Sequence, residues 1–255
     1  KAFRDHVMTL DASHLATGHY ASCTNSESGR VLGRGRDPGK DQSYFLCMLT
    51  QQQLEGALFP VGNMLKNEVR ELAAKAGLGT HAKKDSTGIC FVGERPFREF
   101  LAQFLPAAPG EIRDAEGRVI GGHEGVHFYT IGQRSGLGVG GIAGREDAPW
   151  YVAAKDPITN TLIAVQGEHP LLYSRSLRTA PANWIAGRPP APGLTLTAKT
   201  RYRQPDQACT IEAESDGGVL VRFAHPQRAV APGQYVVFYT GETCLGGAAI
   251  KIAER

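Results

Sequence analysis

What most constrains this chain is a change of pattern at Pro106-Ala107-Ala108-Pro109-Gly110. Before it, apolar residues recur at helical spacing with short β-type runs between them. After it, strand-length runs separated by turn residues take over. The expected fold class is therefore multidomain, α/β followed by β, and 255 residues suffice for one to three domains.

In the first part, Phe3, Val7 and Leu10 share a helical spacing, and the chain opens on them without a methionine, as the interior of a larger domain would. His14 to Ala21 reads as a short strand and Arg30 to Gly33 as its hairpin neighbour. Asp41 stands where a helix N-cap should, ahead of Tyr44, Phe45, Met48 and Leu49. A second helix runs from Leu65 to Ala76, with Val69, Leu72, Ala73 and Ala76 on one face and Gly77 as its stop. Pro96 opens a third, whose stripe is Phe97, Phe100, Leu101, Phe104 and Leu105. In the second part, Asp114-Ala115-Glu116-Gly117 and Asp156-Pro157-Ile158-Thr159-Asn160 are hairpin turns. Strands at Leu194 to Thr200, Ala208 to Ala213, Val219 to Phe223 and Gln234 to Thr240 have the spacing of a small closed barrel.

The formal charge of +3 says little by itself, but its distribution says more. Residues 1–106 carry a net +2, residues 107–169 a net −3 and residues 170–255 a net +4, so a polyanion would prefer the two ends. Five cysteines, Cys23, Cys47, Cys90, Cys209 and Cys244, lie far apart and do not form the framework of a small secreted domain. With no signal peptide, lipidation motif or apolar run of about 18 residues, a cytoplasmic location away from membranes is expected.

Asp85-Ser86-Thr87-Gly88-Ile89-Cys90-Phe91-Val92-Gly93-Glu94-Arg95 places a thiol in a glycine-bounded turn ahead of a helix, with Lys83, Lys84 and Arg95 nearby. Such surroundings lower a thiol pKa toward the thiolate that attacks or carries sulfur. A packed structural cysteine between Ile89 and Phe91 is the plainer alternative. Lys40, Asp41 and Gln42 combine a cation, a cap and an amide at a helix start, suited to phosphate or ribose, although a cap alone is common. Thr17-Gly18-His19-Tyr20 ends a strand, where glycine lets backbone approach a nucleotide, while His19 taken alone reads as a structural histidine. Lys199, Arg201 and Arg203 alternate along a strand with Tyr202 opposite, either a phosphate-binding stripe or a solvated face. The glycines from Gly132 to Gly141 match no phosphate-loop pattern and read as a turned or mobile segment. No Cys-x-x-Cys or His-x-x-x-His set is present, so no metal site is expected.

In order along the chain, Ala16-Thr17-Gly18-His19-Tyr20-Ala21, Lys40-Asp41-Gln42-Ser43-Tyr44-Phe45-Leu46, Asp85-Ser86-Thr87-Gly88-Ile89-Cys90-Phe91, His127-Phe128-Tyr129-Thr130-Ile131-Gly132-Gln133-Arg134, Trp150-Tyr151-Val152 and Lys199-Thr200-Arg201-Tyr202-Arg203-Gln204 resemble the bacterial tRNA-specific 2-thiouridylase family. The resemblance implies three domains: the C-terminal part of an adenine-nucleotide α-hydrolase-like (PP-loop) domain over 1–106, a small β-rich central domain over 107–169 and a C-terminal β-barrel over 170–255. It implies that Gly18 belongs to an ATP site, that Lys40, Asp41, Gln42, Arg201 and Tyr202 contact tRNA, and that Cys90 carries a persulfide. The family also has a Ser-Gly-Gly-x-Asp-Ser phosphate loop and a second catalytic cysteine, whose place lies before Lys1; the expectation is a truncated chain, inactive alone.

The chemistry so implied is ATP-dependent transfer of sulfur to C2 of the wobble uridine, with ATP as co-substrate, Mg²⁺ accompanying it, and a sulfur-donor or relay protein reloading Cys90. The persulfide either attacks carbon directly or releases hydrosulfide first. Two other readings remain: a non-catalytic tRNA-binding fragment, and another nucleotide-activating ligase of the same fold, which needs no cysteine at position 90.

Overall fold

The computed structural model describes residues 6–7, 9–10, 12–27, 29–83, 97–140 and 148–255. Cys90, with the whole 85–95 motif and its neighbours Lys84 and Arg95, lies outside the described residues, as do Phe3 and Pro96. The described residues are mostly strand, with few helices. They belong to two compact units: one comprises Lys1–Lys84, Ser176–His225 and Pro232–Glu254, the other Asp85–Arg175 with Pro226–Ala231.

The first unit starts with a two-residue strand β1 (Leu15–Ala16), followed by β2 (Ala21–Ser26), β3 (Gly29–Arg34), the helix α1 (Gln51–Glu55), β4 (Ala57–Leu58) and the helix α2 (Lys66–Lys75). The hairpin is β2 with β3, in register from Ala21 opposite Arg34 to Ser26 opposite Gly29. The strand expected over His14 to Ala21 therefore splits, because β1 pairs in parallel with β4 and residues 17–20 leave both sheets. Helix α1 is too short to show in apolar spacing; Thr50 caps it, accepting from the Gln53 amide at 3.4 Å while the Gln53 side chain accepts from the Thr50 amide at 3.0 Å. Helix α2 ends as Gly77 predicts. Its φ of +69° suits glycine, and the Gly77 and Leu78 amides close on Ala74 and Ala73 in a Schellman motif.

In the second unit, α3 (Phe97–Ala102) stops before the expected Leu105, leaving Phe104 68% exposed. A four-stranded sheet comes next: β5 (Gly110–Arg113), β6 (Val119–His123), β7 (Trp150–Asp156) and β8 (Thr161–Gln166), in the order β6-β5-β8-β7. Both expected turns close hairpins. The Asp114 carboxylate accepts from the Glu116 and Arg118 amides, and that of Asp156 from Ile158. Ile112, Val126, Tyr129, Leu137, Trp150, Val152 and Leu162 fill the core over this sheet. The glycine-rich stretch is tightly turned where it is described, the Gly132 amide donating to Val152 at 2.7 Å.

The remaining strands are β9 (Tyr173–Thr179), β10 (Asn183–Trp184), β11 (Leu196–Lys199), β12 (Gln207–Ala213), β13 (Val219–Arg228), β14 (Tyr235–Thr240) and β15 (Thr243–Glu254). The ring β14-β11-β12-β13-β9-β15 closes on itself through the β14–β15 pairing, which is the barrel expected from the sequence. Leu177, Ala198, Val221, Val236, Phe238 and Ala248 are buried within the strands that form it. Closure leaves these strands without a free edge. The twelve-residue β15 also holds β10 and, at Thr243 opposite Gly33, the β2–β3 hairpin.

Candidate nucleic-acid interface

The site is built in the first unit, where the segment after β3 runs along the barrel. Gly35 has to be a glycine: a Cβ there would lie 2.6 Å from the carbonyl oxygen of Tyr20. Asp37 then turns the chain, accepting from the Gly39 amide at 3.0 Å and from the Lys66 amide, the first of α2, at 2.9 Å. Asp41 is buried, and its carboxylate accepts three bonds of 3.0 Å, from the Gly35 amide, the Ser43 amide and the Ser43 hydroxyl. The expected helix cap is thus corrected. The segment after Asp41 is a four-residue 3-10 turn, Ser43–Leu46, whose capping position is Gln42, and Asp41 holds the loop closed from inside.

Gln42 faces the other way. Its amide donates to the Tyr20 carbonyl at 2.8 Å, and its side-chain oxygen accepts from the Tyr20 amide at 3.0 Å. This reciprocal clasp ties the Lys40-Asp41-Gln42 loop to Thr17-Gly18-His19-Tyr20. In that segment an added Cβ on Gly18 would meet nothing within 4 Å, so space is open there for an incoming group. His19 shares a 2.9 Å hydrogen bond with Thr17, and burial lowers its pKa, which keeps the imidazole neutral at pH 7.

The 3-10 turn is riveted to the barrel. The Tyr44 hydroxyl donates to the Tyr235 carbonyl at 2.9 Å, the Asn183 amide group donates to the carbonyls of Cys47 and Leu49, and the Ser43 hydroxyl lies 3.2 Å from that of Tyr239. Burial pushes the Tyr44 hydroxyl up to about 12, so it stays protonated as a donor. Beside it, the Arg34 guanidinium stacks 3.9 Å over the Tyr239 ring and pairs with Asp206 at 2.7 Å. Lys199 reaches the same carboxylate at 3.6 Å. Arg34, Arg36, Asp41, Asn63, Lys199 and Asp206 line an open cavity of about 620 Å³ here.

The expected stripe of Lys199, Arg201 and Arg203 does not form, because β11 ends at Lys199 and residues 200–204 make a turn. Gln204 closes that turn, its side-chain oxygen accepting from the Thr200 amide at 2.7 Å. Lys199 points inward, while Arg201 and Arg203 are exposed. The Tyr202 ring packs on Phe45 at 4.5 Å and lies 6.3 Å from Tyr44, and Arg203 stands 5.8 Å over its face. Burial raises the Tyr202 hydroxyl above the ordinary phenol value, and the charges of Arg203, Asp41, Lys40 and Asp37 all act on it. Two segments from opposite ends of the chain, 40–45 and 201–203, thus form one patch. Sequence reasoning missed Arg34, Asp37 and Asp206, which shape it, and offered no signal for partners so distant in sequence.

The four described cysteines are free thiols. Burial pushes Cys47 and Cys209 up to about 12 and raises Cys244, so these three stay protonated and weakly nucleophilic at neutral pH. Among the described residues no three His, Cys, Asp or Glu side chains group as a metal site, and no helix is long and apolar enough to cross a membrane.

Three family profiles cover the chain in sequence: "tRNA methyl transferase HUP domain" over residues 1–94, "tRNA methyl transferase PRC-barrel domain" over 98–166 and "Aminomethyltransferase beta-barrel domain" over 174–250. The chain is 55% identical over 252 residues to a tRNA-specific 2-thiouridylase of Alcanivorax borkumensis, an alignment spanning 98% of this chain and 69% of that protein. It is also 55% identical to the one of Xanthomonas euvesicatoria, over 100% of this chain and 68% of that protein. Identity of this extent across all three regions means that the chain belongs to the tRNA-specific 2-thiouridylase family.

Proposed function

We propose that the protein acts in the cytosol as a tRNA-uridine 2-sulfurtransferase, and that its sulfur passes from a Cys90 persulfide to C2 of the wobble uridine in an ATP-dependent reaction. The observation that carries the tRNA part is the meeting of Lys40, Arg201 and Tyr202 around one exposed patch in a family whose relatives are named for tRNA thiolation. Lys40 and Arg201 take phosphates and Tyr202 takes a base or ribose. Asp41 and Gln42 meet the RNA through the loop they hold, since the oxygens of both side chains are turned inward, to the amides of Gly35, Ser43 and Tyr20 and to the Ser43 hydroxyl. For ATP, the fit is the open space at Gly18, with the Tyr20–Gln42 clasp fixing the backbone beside it. Mg²⁺ would come with ATP as part of the co-substrate and would offset the charge of its phosphates.

The uridine 2-oxygen attacks the α-phosphate and expels pyrophosphate; sulfur then adds at C2 and AMP departs with the former oxygen. If the persulfide attacks directly, a second thiolate attacks Cys90, forms a disulfide with it and releases the 2-thio group. If hydrosulfide leaves first, the same thiolate attack releases it. A thiol reductant then reduces the disulfide to two thiols, and a sulfur-donor or relay protein transfers sulfane sulfur from its own persulfide to the freed Cys90 thiolate.

The test is Cys90→Ser, made in a protein that also carries the family's phosphate loop and second cysteine. A hydroxyl cannot hold sulfane sulfur, so 2-thiouridine formation should fall to background while tRNA binding, adenylation and melting temperature stay within error. Cys23→Ser serves as the control that keeps thiolation. Mass spectrometry of digested tRNA reads the product. Unchanged thiolation in the Cys90 variant would overturn the sulfur-carrier role, and adenylation by wild type with no thiolated product would favour a ligase that needs no thiol there. A wild-type protein that binds tRNA without ever forming adenylate or thiolated product would favour a binding fragment.

A further inference from the structure

We propose that the ring of Phe45 is a stacking platform for an unpaired tRNA base, braced from behind by Tyr202. The inference rests on the tRNA-binding reading above and adds to it a residue and a mode of contact. Along the 3-10 turn, Tyr44 goes inward at 8% exposure and Phe45 outward at 57%. Three residues on, Met48 is 44% exposed. One exposed apolar side chain is ordinary on any protein surface. Phe45 differs because its ring is held in place: it packs on Tyr202 at 4.5 Å with a 43° tilt and edge-on against Tyr44 at 5.6 Å. Tyr44 is in turn fixed by its hydrogen bond to Tyr235 on β14. Phe45 is thus the outermost ring of a rigid three-ring cluster.

The surroundings choose the occupant. Lys40 precedes the turn, and Arg201 and Arg203 flank Tyr202, with Arg203 lying over the Tyr202 face. An apolar ring bordered by cations is what single-stranded nucleic acid recognition uses, cations tracking phosphates while the ring takes a base face. A paired base has both faces covered by its neighbours and cannot use it, so the ligand is an unpaired nucleotide of the tRNA. Because every base has a π-face, the platform supplies affinity and position without reading sequence.

The experiment measures binding of an unmodified tRNA transcript, and of a fully paired RNA of equal length, to the 255-residue chain across a salt series. Phe45→Ala should weaken tRNA binding about 5- to 150-fold with the salt slope unchanged. Phe45→Trp should bind like wild type and Phe45→Leu like the alanine variant, while binding of the paired RNA is the same in all. Arg201→Ala should flatten the slope, and Phe45→Ala should lower the melting temperature only slightly, since it loses two ring contacts but is more than half exposed. If Phe45→Ala binds tRNA normally while Arg201→Ala weakens it, the platform is wrong and the tRNA reading stands. If wild type fails to bind tRNA, the tRNA reading falls and takes the platform with it. Normal binding by Phe45→Leu would overturn stacking in favour of a generic apolar contact. Loss of a sulfur-donor protein by Phe45→Ala, with tRNA affinity intact, would overturn it in favour of a protein partner.

Discussion

Arginines with near and far partners do different work, and the contrast is clearest between the first hairpin of the second unit and Arg34 of the first. In the second unit, Arg113 bonds Glu111 at 3.0 Å and Arg118 bonds Asp114 at 2.8 Å, each partner within a few residues, so the cations close the hairpin that carries them. In the first unit, Arg34 reaches Asp206 and the Tyr239 ring from the far end of the chain. A count of basic residues cannot see this difference. The separation between an arginine and its partner distinguishes a cation that closes its own turn from one that builds a surface.

Two buried carboxylates allow the sharpest break of that comparison, since Asp41 and Asp114 each hold a turn by accepting two backbone amides. Replacing either by Ala leaves those amides unsatisfied at about 1–3 kcal/mol each. Calorimetry should show a clear fall in melting temperature for both variants. Only Asp41→Ala should also weaken tRNA binding when measured well below its melting point, because only that turn carries Lys40. Equal loss of binding in Asp114→Ala would erase the distinction between the units.

A smaller effect separates the cations themselves. Arg201→Ala should lower the log–log salt slope of tRNA binding by about one, the release expected for one phosphate contact, whereas Arg118→Ala should leave the slope unchanged. Identical slopes in the two variants would reassign Arg201.

Smallest is a dependence on pH common to both units. Burial lowers the pKa of His19 in the first unit, and burial first and then the neighbouring His127 lower that of His123 in the second. His123 accepts from the Gly125 amide at 2.9 Å through Nδ1, which protonation would forbid. A folded pKa below the unfolded value means that the unfolded chain takes up more protons as pH falls through about 6.5, so stability is complete above that pH and is lost below it. Melting followed from pH 8 to pH 5 should show this fall, and His123→Gln should flatten it although it lowers stability at every pH. A melting temperature that rises on acidification would contradict the neutral tautomer.

Local chemistry was legible in the sequence wherever both partners sit close together. Gly77 stops α2, the Asp114 and Asp156 turns close their hairpins, and the strand spacing after Leu194 closes a barrel. The site was legible as motifs but not as geometry. Helical spacing groups Tyr44 and Phe45 with Met48 and Leu49, yet the segment is a 3-10 turn anchored by Tyr235 and Tyr239, and this buries Tyr44 while leaving Phe45 exposed beside it. Alternation puts Lys199 beside Arg201, but the strand ends between them and Asp206 draws Lys199 inward. Asp41 reads as a cap because its partner Gly35 cannot be recognised as a donor until the loop is folded. In each case the deciding partner is an element that local spacing does not reach.

The long strand β15 has a consequence for how the chain comes off the ribosome. It is synthesised after every strand it pairs, and it joins β14, β9, β10 and β3, so the first unit stays open, with unpaired strand edges, until residues 243–254 emerge. The β5–β8 sheet needs only residues 110–166 for its own pairings and can close earlier. Domains with local pairing fold quickly, while those that wait for distant strands remain prone to aggregation in the meantime. Vectorial synthesis therefore gives the later-emerging sheet the earlier finish, and the surface proposed to meet RNA is assembled last.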